Sequence, residues 1–413
     1  MGLLDTALGD GRRWVRVGDY FEVTRKPRGL KVADYGAVPF VPMEAIPQGG
    51  PYEPRYDAKP GPEITSGTYF ERGDLLIAKI TPSFENGKQA LAKGLPAPFG
   101  YATTEVIPLR PTALGIDKRL LFFYLLHPEI RSYVAERMEG STGRRRVPEQ
   151  VLLDLPYPEF PPENQQAIAD TLEFITRQIE FEERSARTTE ELKRSAMREL
   201  FTRGLRGEPL KDTEIGPMPE SWGIRTVAES VHPFRFNRSK QVPKSAYQKV
   251  GRWPVIDQGQ EDVAGYTNDS EKVITPDRPI IIFGDHTRIF KFVDFPFVLG
   301  ADGTKPLLAR DEYIPKFLFY VLSALEIPAR GYNRHFTVLS EMCVPHPALD
   351  EQREIVAILD AIDRKIELHR RKKQVLEELF KALLHKLMTG EIHVDALNLS
   401  ALGATGDGDQ VSR

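Results

Sequence analysis

The feature that most constrains this chain is an internal repeat. Residues 165–200 align without gaps onto residues 352–387 at a constant offset of 187. The matched pairs include Gln165/Gln352, Ile168/Ile355, Leu172/Leu359, Ile175/Ile362 and Ile179/Ile366. A period of this length indicates duplicated domains rather than a solenoid of short units.

Shorter landmarks precede each copy in the same order. They are an apolar strand-like run at 74–80 and 279–283, an apolar helical run at 122–126 and 318–322, a basic turn at 143–146 and 332–335, and a Pro-x-Pro motif at 156–158 and 345–347. The first copy carries two extra residues after its Pro-x-Pro. Each half is therefore predicted to be a variable globular domain followed by a well-matched helix.

The repeated segments have the pattern of long helices with a coiled-coil seam. Steps of four and three residues select Ile355, Leu359, Ile362, Ile366, His369, Lys373, Leu376, Phe380, Leu383 and Leu387, and the same register in the first copy runs from Ile168 to Leu200. Prolines at 161–162 and 347 are natural starts, and Gly204 and Gly390 are natural stops. Each helix should span about 40 residues, or roughly 60 Å.

Two matched seams in one chain are natural partners for each other. If the helices pair antiparallel, their midpoints meet and bring Glu182 close to His369 and Lys373. Such a polar contact can fix the register of a helix pair. The alternative, in which these side chains point outward and are simply solvated, remains open at this stage.

Composition sets the broad class. The chain has 413 residues, enough for two or three domains, and its single cysteine, Cys343, excludes a disulfide framework and a multi-cysteine zinc site. No signal peptide and no apolar run of membrane-spanning length is visible, so we expect a cytoplasmic protein. The net charge of −3 argues mildly against a nucleic-acid binder, unless the cationic residues are local.

Catalytic motifs are not apparent. The chain lacks a phosphate-binding loop, a dinucleotide fingerprint and a His-Glu-x-x-His motif. The segment 160–163 is interpreted as a helix cap, and the segment 302–305 as a turn. We therefore predict no catalytic residue, no cofactor-binding residue and no metal ligand on this chain.

With these landmarks in place, the chain resembles the specificity subunit of type I restriction-modification systems over nearly its whole length. The most specific pieces are the Pro-x-Pro and Gln-(Arg/Gln)-x-Ile-(Ala/Val) starts of the two helices, at 155–169 and 344–356. The segments 74–88, 215–222, 282–288 and 300–305 also look like the family.

The resemblance implies a non-catalytic subunit that recognises a bipartite DNA target. It implies an α+β fold in which two globular target-recognition domains are separated by a pair of long antiparallel coiled-coil helices, with pseudo-two-fold internal symmetry. The implied partners are double-stranded DNA, two methyltransferase subunits and restriction motor-nuclease subunits. S-adenosylmethionine, ATP and Mg would bind to those partners.

The domain boundaries follow from the landmarks. We expect the first recognition domain at 1–155, the first helical region at 156–214, the second recognition domain at 215–345, the second helical region at 346–395 and a disordered tail at 396–413. The alternative function is a coiled-coil scaffold that binds proteins and does not recognise DNA.

Candidate DNA contacts are polar or cationic residues on turns of the two globular domains. In the first domain they are Lys79, Thr81, Asn86, Lys88, Arg144, Arg145 and Arg146. In the second they are Asp285, His286, Thr287, Arg288, Lys305, Asn333, Arg334 and His335. For each turn, a solvated or capping loop is the alternative reading.

Overall fold

A computed structural model of the chain describes residues 3–6, 13–49, 53–141, 143–300, 303–328, 335–394 and 397. It divides into two compact units, Met1–Arg184 with His369–Arg413, and Ser185–Leu368. Each unit contains one globular region and parts of both long helices. The division therefore differs from the sequence-based domain boundaries, which assigned each long helix to a region of its own.

The first half of the chain is strand-rich, with short helices at the edges. Its strands are β1 (Trp14–Arg16), β2 (Phe21–Val23), β3 (Val38–Val41), β4 (Asp57–Lys59), β5 (Thr68–Glu71), β6 (Leu75–Ala78), β7 (Gln89–Leu91), β8 (Phe99–Ala102), β9 (Val106–Pro111) and β10 (Pro156–Pro158). Its helices are α1 (Leu3–Thr6), α2 (Val17–Tyr20), α3 (Lys118–Tyr124), α4 (Pro128–Glu136), α5 (Glu149–Leu153) and the long α6 (Pro162–Arg203).

The second half repeats this order. Its strands are β11 (Leu210–Lys211), β12 (Met218–Pro219), β13 (Gly223–Thr226), β14 (Val231–Pro233), β15 (Trp253–Ile256), β16 (Gly265–Thr267), β17 (Ile280–Gly284), β18 (Phe290–Val293), β19 (Val298–Leu299), β20 (Thr304–Ala309) and β21 (Cys343–His346). Its helices are α7 (Val227–Ser230), α8 (Pro315–Ala324), α9 (Phe336–Glu341) and the long α10 (Leu349–Thr389).

The sheets of the two units correspond. An antiparallel sheet has the order β2-β9-β6-β7 in the first unit and β14-β20-β17-β18 in the second. A mixed sheet has the order β4-β3-β8-β5 in the first and β16-β15-β19 in the second. The central strands β6 and β17 are buried along their whole length, which explains their unbroken apolar sequences.

The long helices have the lengths that the sequence predicts. Helix α6 has 42 residues and α10 has 41. Gly204 and Gly390 follow their last turns with φ of 61° and 66°, the left-handed conformation in which glycine ends helices. The predicted stops are therefore confirmed.

Each unit contains an antiparallel pair of helix segments. In the first, Leu172 and Ile175 of α6 share an apolar core with Leu383 and Leu387 of α10. In the second, Leu200 near the end of α6 shares a core with Ile355 near the start of α10. The predicted seam is confirmed, because its apolar positions are buried or half-buried.

The predicted polar contact is present in the first unit. Glu182 Oε2 lies 2.5 Å from His369 Nδ1, and both side chains are largely buried. Lys373 donates to Glu183 at 3.2 Å rather than to Glu182, and Lys372 is the lysine near Glu182, at 3.9 Å. The predicted contact of Glu182 with His369 is therefore confirmed, and Lys373 forms its ion pair with the neighbouring Glu183.

Candidate nucleic-acid interface

A buried glutamine at the start of each long helix positions each globular region. The Gln165 Oε1 atom accepts a hydrogen bond from the Asp117 backbone N–H at 3.2 Å, just before α3, and its Nε2 donates to the Phe160 carbonyl at 2.8 Å. In the second unit, Gln352 accepts from the Ile314 N–H at 2.7 Å, just before α8.

The second glutamine makes the larger set of contacts. Its Nε2 donates to the carbonyls of Pro347 at 2.9 Å and Glu312 at 3.0 Å. In both units the amide thus ties the long helix to the start of a short helix, and it also bonds to the chain at or just after the Pro-x-Pro motif, at Pro347 in the second unit and at Phe160 in the first. This explains why a Pro-x-Pro strand and a glutamine occur together at the start of each helix.

The Pro-x-Pro strands close each globular region. Strand β10 pairs antiparallel with β1, and β21 pairs antiparallel with β13. Each pair therefore joins the beginning of a globular region to its end.

In the first unit, the triple arginine packs beside the segment that follows β6. The Thr81 N–H donates to the Arg145 carbonyl at 3.0 Å, and the Val147 N–H donates to the Lys79 carbonyl at 2.8 Å. The two sequence-predicted segments therefore form one local surface, as the DNA-contact hypothesis requires.

Carboxylates share this surface with the arginines. Arg146 donates two hydrogen bonds to Glu105, at 2.8 and 2.6 Å, and these lower the pKa of that carboxyl. Arg145 lies 3.7 Å from Glu85, which also accepts from the Thr81 hydroxyl at 2.9 Å. These carboxylates hold the two guanidinium groups in place.

The remaining candidates of the first unit differ in exposure. Arg144 and Asn86 are exposed. Lys88 is half-buried and donates to the Met43 carbonyl at 3.0 Å, so its ammonium supports the fold. Lys79 is half-buried, and its charge helps to lower the pKa of Glu105. Arg144 and Asn86, which are both exposed, remain the strongest candidates for DNA contact in this unit.

In the second unit, the loop after β17 presents three exposed side chains. They are His286, Thr287 and Arg288. The His286 N–H donates to Gln258 Oε1 at 3.3 Å, and the Thr287 hydroxyl donates to the Gln258 carbonyl at 2.6 Å. Arg288 has a φ of 62° and donates to the Ile327 carbonyl at 2.9 Å.

Asp285 and His335 lie in the interior, with 1% and 2% of their surfaces exposed. The Asp285 carboxylate accepts from the Phe336 N–H at 2.8 Å, and its carbonyl lies 2.8 Å from His335 Nδ1. These contacts correct our expectation for the pair: they support the loop from beneath, and the exposed residues 286–288 form its surface. Asn333 and Arg334 lie outside the described residues.

A cleft of about 760 Å³ opens beside this loop within the second unit. Its lining includes Phe234, Phe236, His286, Lys305 and Phe336. The Lys305 ammonium lies 5.9 Å from the Phe336 ring centre. Our sequence reasoning missed Phe234 and Phe236, although the alternation of aromatic and basic residues from 234 onward could have indicated them.

A smaller cleft of about 460 Å³ occurs in the first unit. Cations and hydroxyl groups line it, among them Arg25, Lys26, Thr65, Ser66 and Thr68. Burial is the main cause that raises the pKa of the adjoining Tyr69 to about 12, and its hydroxyl donates to Glu71 at 3.1 Å. These residues were also missed, because they are dispersed along the sequence.

Comparisons with known proteins show which proteins this chain is similar to. A family model described as "Type I restriction modification DNA specificity domain" matches residues 219–378. The putative type I restriction enzyme MjaX specificity subunit of Methanocaldococcus jannaschii is 27% identical over 341 residues, which are 78% of this chain and 79% of that protein. The chain is thus similar to type I restriction-modification specificity subunits over most of its length.

Other relatives agree with this assignment. The EcoEI specificity subunit of Escherichia coli is 33% identical over 161 residues, covering 39% of this chain and 27% of that larger protein. A crystal structure of the type I system S subunit from M. genitalium superposes with a TM-score of 0.57 at 14% identity, covering 92% of this chain and 97% of that one. The sequence-based fold class and the expectation of a specificity subunit are thereby confirmed.

The described residues contain no helix that is long and apolar enough to cross a membrane.

Proposed function

We propose that this chain selects DNA by sequence for a type I restriction-modification complex, with each globular region contacting one half of a bipartite target. The observation that carries the proposal is the duplicated frame. The same glutamine contacts and the same strand closure hold two regions whose exposed loops differ. A duplicated frame with different exposed loops is suited to recognising two different half-sites at a set spacing.

The exposed residues have the chemistry of DNA contacts. Arg144 in the first unit and Arg288 in the second can reach phosphates or guanine edges. Asn86, His286 and Thr287 can donate to or accept from base edges. The local cationic surface accounts for DNA affinity in a chain whose net charge is −3.

The partners in this proposal are double-stranded DNA, two methyltransferase subunits and restriction motor-nuclease subunits in the cytoplasm. S-adenosylmethionine, ATP and Mg bind to those subunits and supply the methylation, translocation and cleavage chemistry. This chain chooses the site and supplies no catalytic group.

The deciding experiment is co-expression with the methyltransferase subunit from the same genome, followed by sequencing of host DNA for methylated adenines. We expect one new two-part motif that disappears when this chain is omitted. Stable co-purification without any methylated motif would favour a protein-binding scaffold instead.

Substitutions then separate phosphate contacts from base contacts. Arg144→Ala should weaken binding to all sequences alike and reduce the salt dependence of log K by about one. His286→Ala should instead relax the motif at one position of one half-site. Arg177→Ala on α6 is the matched control, because Arg177 is exposed and paired within its own helix. An unchanged motif and salt slope in both test variants would remove these loops from the interface.

A further inference from the structure

Three potential metal ligands converge within the first unit, and none of them is among the proposed DNA contacts. They are His127 at the start of α4, Glu129 in its first turn and His385 near the end of α10. Their ligand atoms all lie within 4.8 Å of one another. His127 Nε2 and His385 Nδ1 are 3.1 Å apart, although 258 residues separate them in the chain.

The two imidazoles face each other, and His127 is buried with 3% of its surface exposed. His385 directs its Nδ1 at His127, and its Nε2 lies 3.8 Å from Glu391 Oε1.

The carboxylate is also held in place. Glu129 Oε2 accepts from the Leu3 N–H at 2.7 Å and from the Leu4 N–H at 3.5 Å. Glu129 thereby anchors α1 through Oε2, and a carboxylate oxygen of Glu129 lies within 4.8 Å of a ring nitrogen of each histidine. Glu129 and His385 are half-buried, so an ion can reach the cluster from solvent.

We propose that His127 Nε2, His385 Nδ1 and a Glu129 carboxylate oxygen bind one divalent transition-metal ion of the zinc class. Tetrahedral Zn²⁺ with Zn–N bonds of about 2.0–2.1 Å places two nitrogen ligands about 3.3 Å apart. The observed 3.1 Å requires only a small opening of the histidine pair. Water would fill the fourth position.

Binding requires one proton rearrangement. His127 Nδ1 accepts a hydrogen bond from the Glu129 N–H at 3.3 Å, which places the ring proton on Nε2. Coordination through Nε2 moves that proton to Nδ1 and gives up this long hydrogen bond. The ring stays neutral, no net proton is released, and the ion replaces the histidine–histidine hydrogen bond.

The ion would join the start of α4 to the last turns of α10, and the hydrogen bonds from the Leu3 and Leu4 N–H groups to Glu129 connect α1 to the same site. The bound ion would replace the single hydrogen bond between His127 and His385 with a link through three ligands. Our sequence-based expectation of no metal ligand is revised by this proposal, because two histidines so far apart give no spacing motif.

The test uses the full chain without an affinity tag. Titration with Zn²⁺ in a calorimeter should give one site per chain, and Co²⁺ should give the visible absorption of a tetrahedral complex. His385→Gln should weaken Zn²⁺ binding by at least about 100-fold, since even loss of an outer-shell partner costs roughly 10–100-fold. His232→Gln, at an exposed histidine of β14, should bind like the wild type.

A second variant guards against misfolding. Glu129→Gln keeps an oxygen that accepts from Leu3 but removes the anionic ligand, so it should fold and bind Zn²⁺ weakly. Zn²⁺ should raise the melting temperature of the wild type and of His232→Gln only. The proposal would be overturned if the wild type had no single Zn²⁺ site, or if both ligand variants bound Zn²⁺ with the affinity of the wild type. The methylated motif should persist in Glu129→Gln, which separates this test from that of DNA recognition.

Discussion

The two units share a frame but differ in how tightly that frame is held. Gln352 makes three hydrogen bonds to backbone groups, and Gln165 makes two, one of them at 3.2 Å. The second unit also has a buried bond from Trp222 Nε1 to Glu351 at 2.9 Å. The first unit instead brings His127 and His385 together. A duplicated frame can therefore keep its geometry while its supporting contacts diverge.

The largest expected effect concerns the two glutamines. Gln352→Leu leaves two backbone carbonyls and one backbone N–H without their buried hydrogen-bond partner. We expect the substitution to lower the free energy of unfolding by about 3 kcal/mol. Gln165→Leu should cost about 2 kcal/mol, because it breaks fewer and longer contacts. Urea unfolding followed by tryptophan fluorescence measures both, and equal losses would show that the third bond of Gln352 contributes nothing.

A pH dependence should distinguish the units next. Burial is the main cause that raises the pKa of Asp74 to about 6, whereas the corresponding position before β17 is Pro279, which does not titrate. The folded state holds this proton more tightly than the unfolded chain does. The protonated Asp74 carboxyl therefore adds to the free energy of unfolding below pH ~4, and this addition is lost as the pH rises to ~6. The loss amounts to about 2–3 kcal/mol.

Asp74→Asn is the direct test, since an amide oxygen can still accept from the Glu71 N–H. The unfolding free energy of the wild type should fall relative to that of the variant between pH 4 and 6. The variant Pro279→Ala serves as the control and should keep the wild-type slope. Parallel profiles for the wild type and Asp74→Asn would show that Asp74 does not titrate in this range.

The polar contacts between helix segments come third. Glu182→Lys removes the buried bond to His369 and places a cation near Lys372, so we expect a loss of about 2 kcal/mol. The pair of Lys193 with Asp363, at 2.6 Å, is its more exposed counterpart in the second unit. Asp363→Asn should cost at most about 1 kcal/mol. An unchanged melting temperature for Glu182→Lys would rule out a role in fixing the register.

The helix contacts were predictable because they follow from a periodic pattern. The heptad seam, the glycine stops and the pairing of Glu182 with His369 require only the register and an antiparallel arrangement. Local sequence carries that information directly.

The candidate interface was less predictable, because its contacts join residues that are distant in sequence. Arg146 meets Glu105 at a separation of 41 residues, and the Asp285 carboxylate meets the Phe336 backbone at a separation of 51. A single sequence identified these turns as polar. It could not show which of their side chains are used to build the loop and which remain exposed.

The smallest expected effect concerns the short helices α2 and α7, which follow the first strand of each closing pair. In α7 the Thr226 hydroxyl accepts from the Glu229 N–H at 3.2 Å, and Glu229 accepts from the Thr226 N–H at 2.9 Å, a reciprocal capping box. In α2 the carboxylate of Asp19 accepts from the Arg16 N–H at 2.8 Å.

Thr226→Ala should therefore cost about 1 kcal/mol, since it removes the side-chain acceptor at the N-cap. Arg16→Ala should change stability by no more than about 0.5 kcal/mol, because the α2 cap uses the Arg16 backbone and the Asp19 side chain. Thermal unfolding of the two variants beside the wild type measures the difference. If Arg16→Ala proves as costly as Thr226→Ala, the guanidinium of Arg16 stabilises the first unit through the carboxylates beside it, Asp19 at 3.2 Å and Asp154 at 3.6 Å.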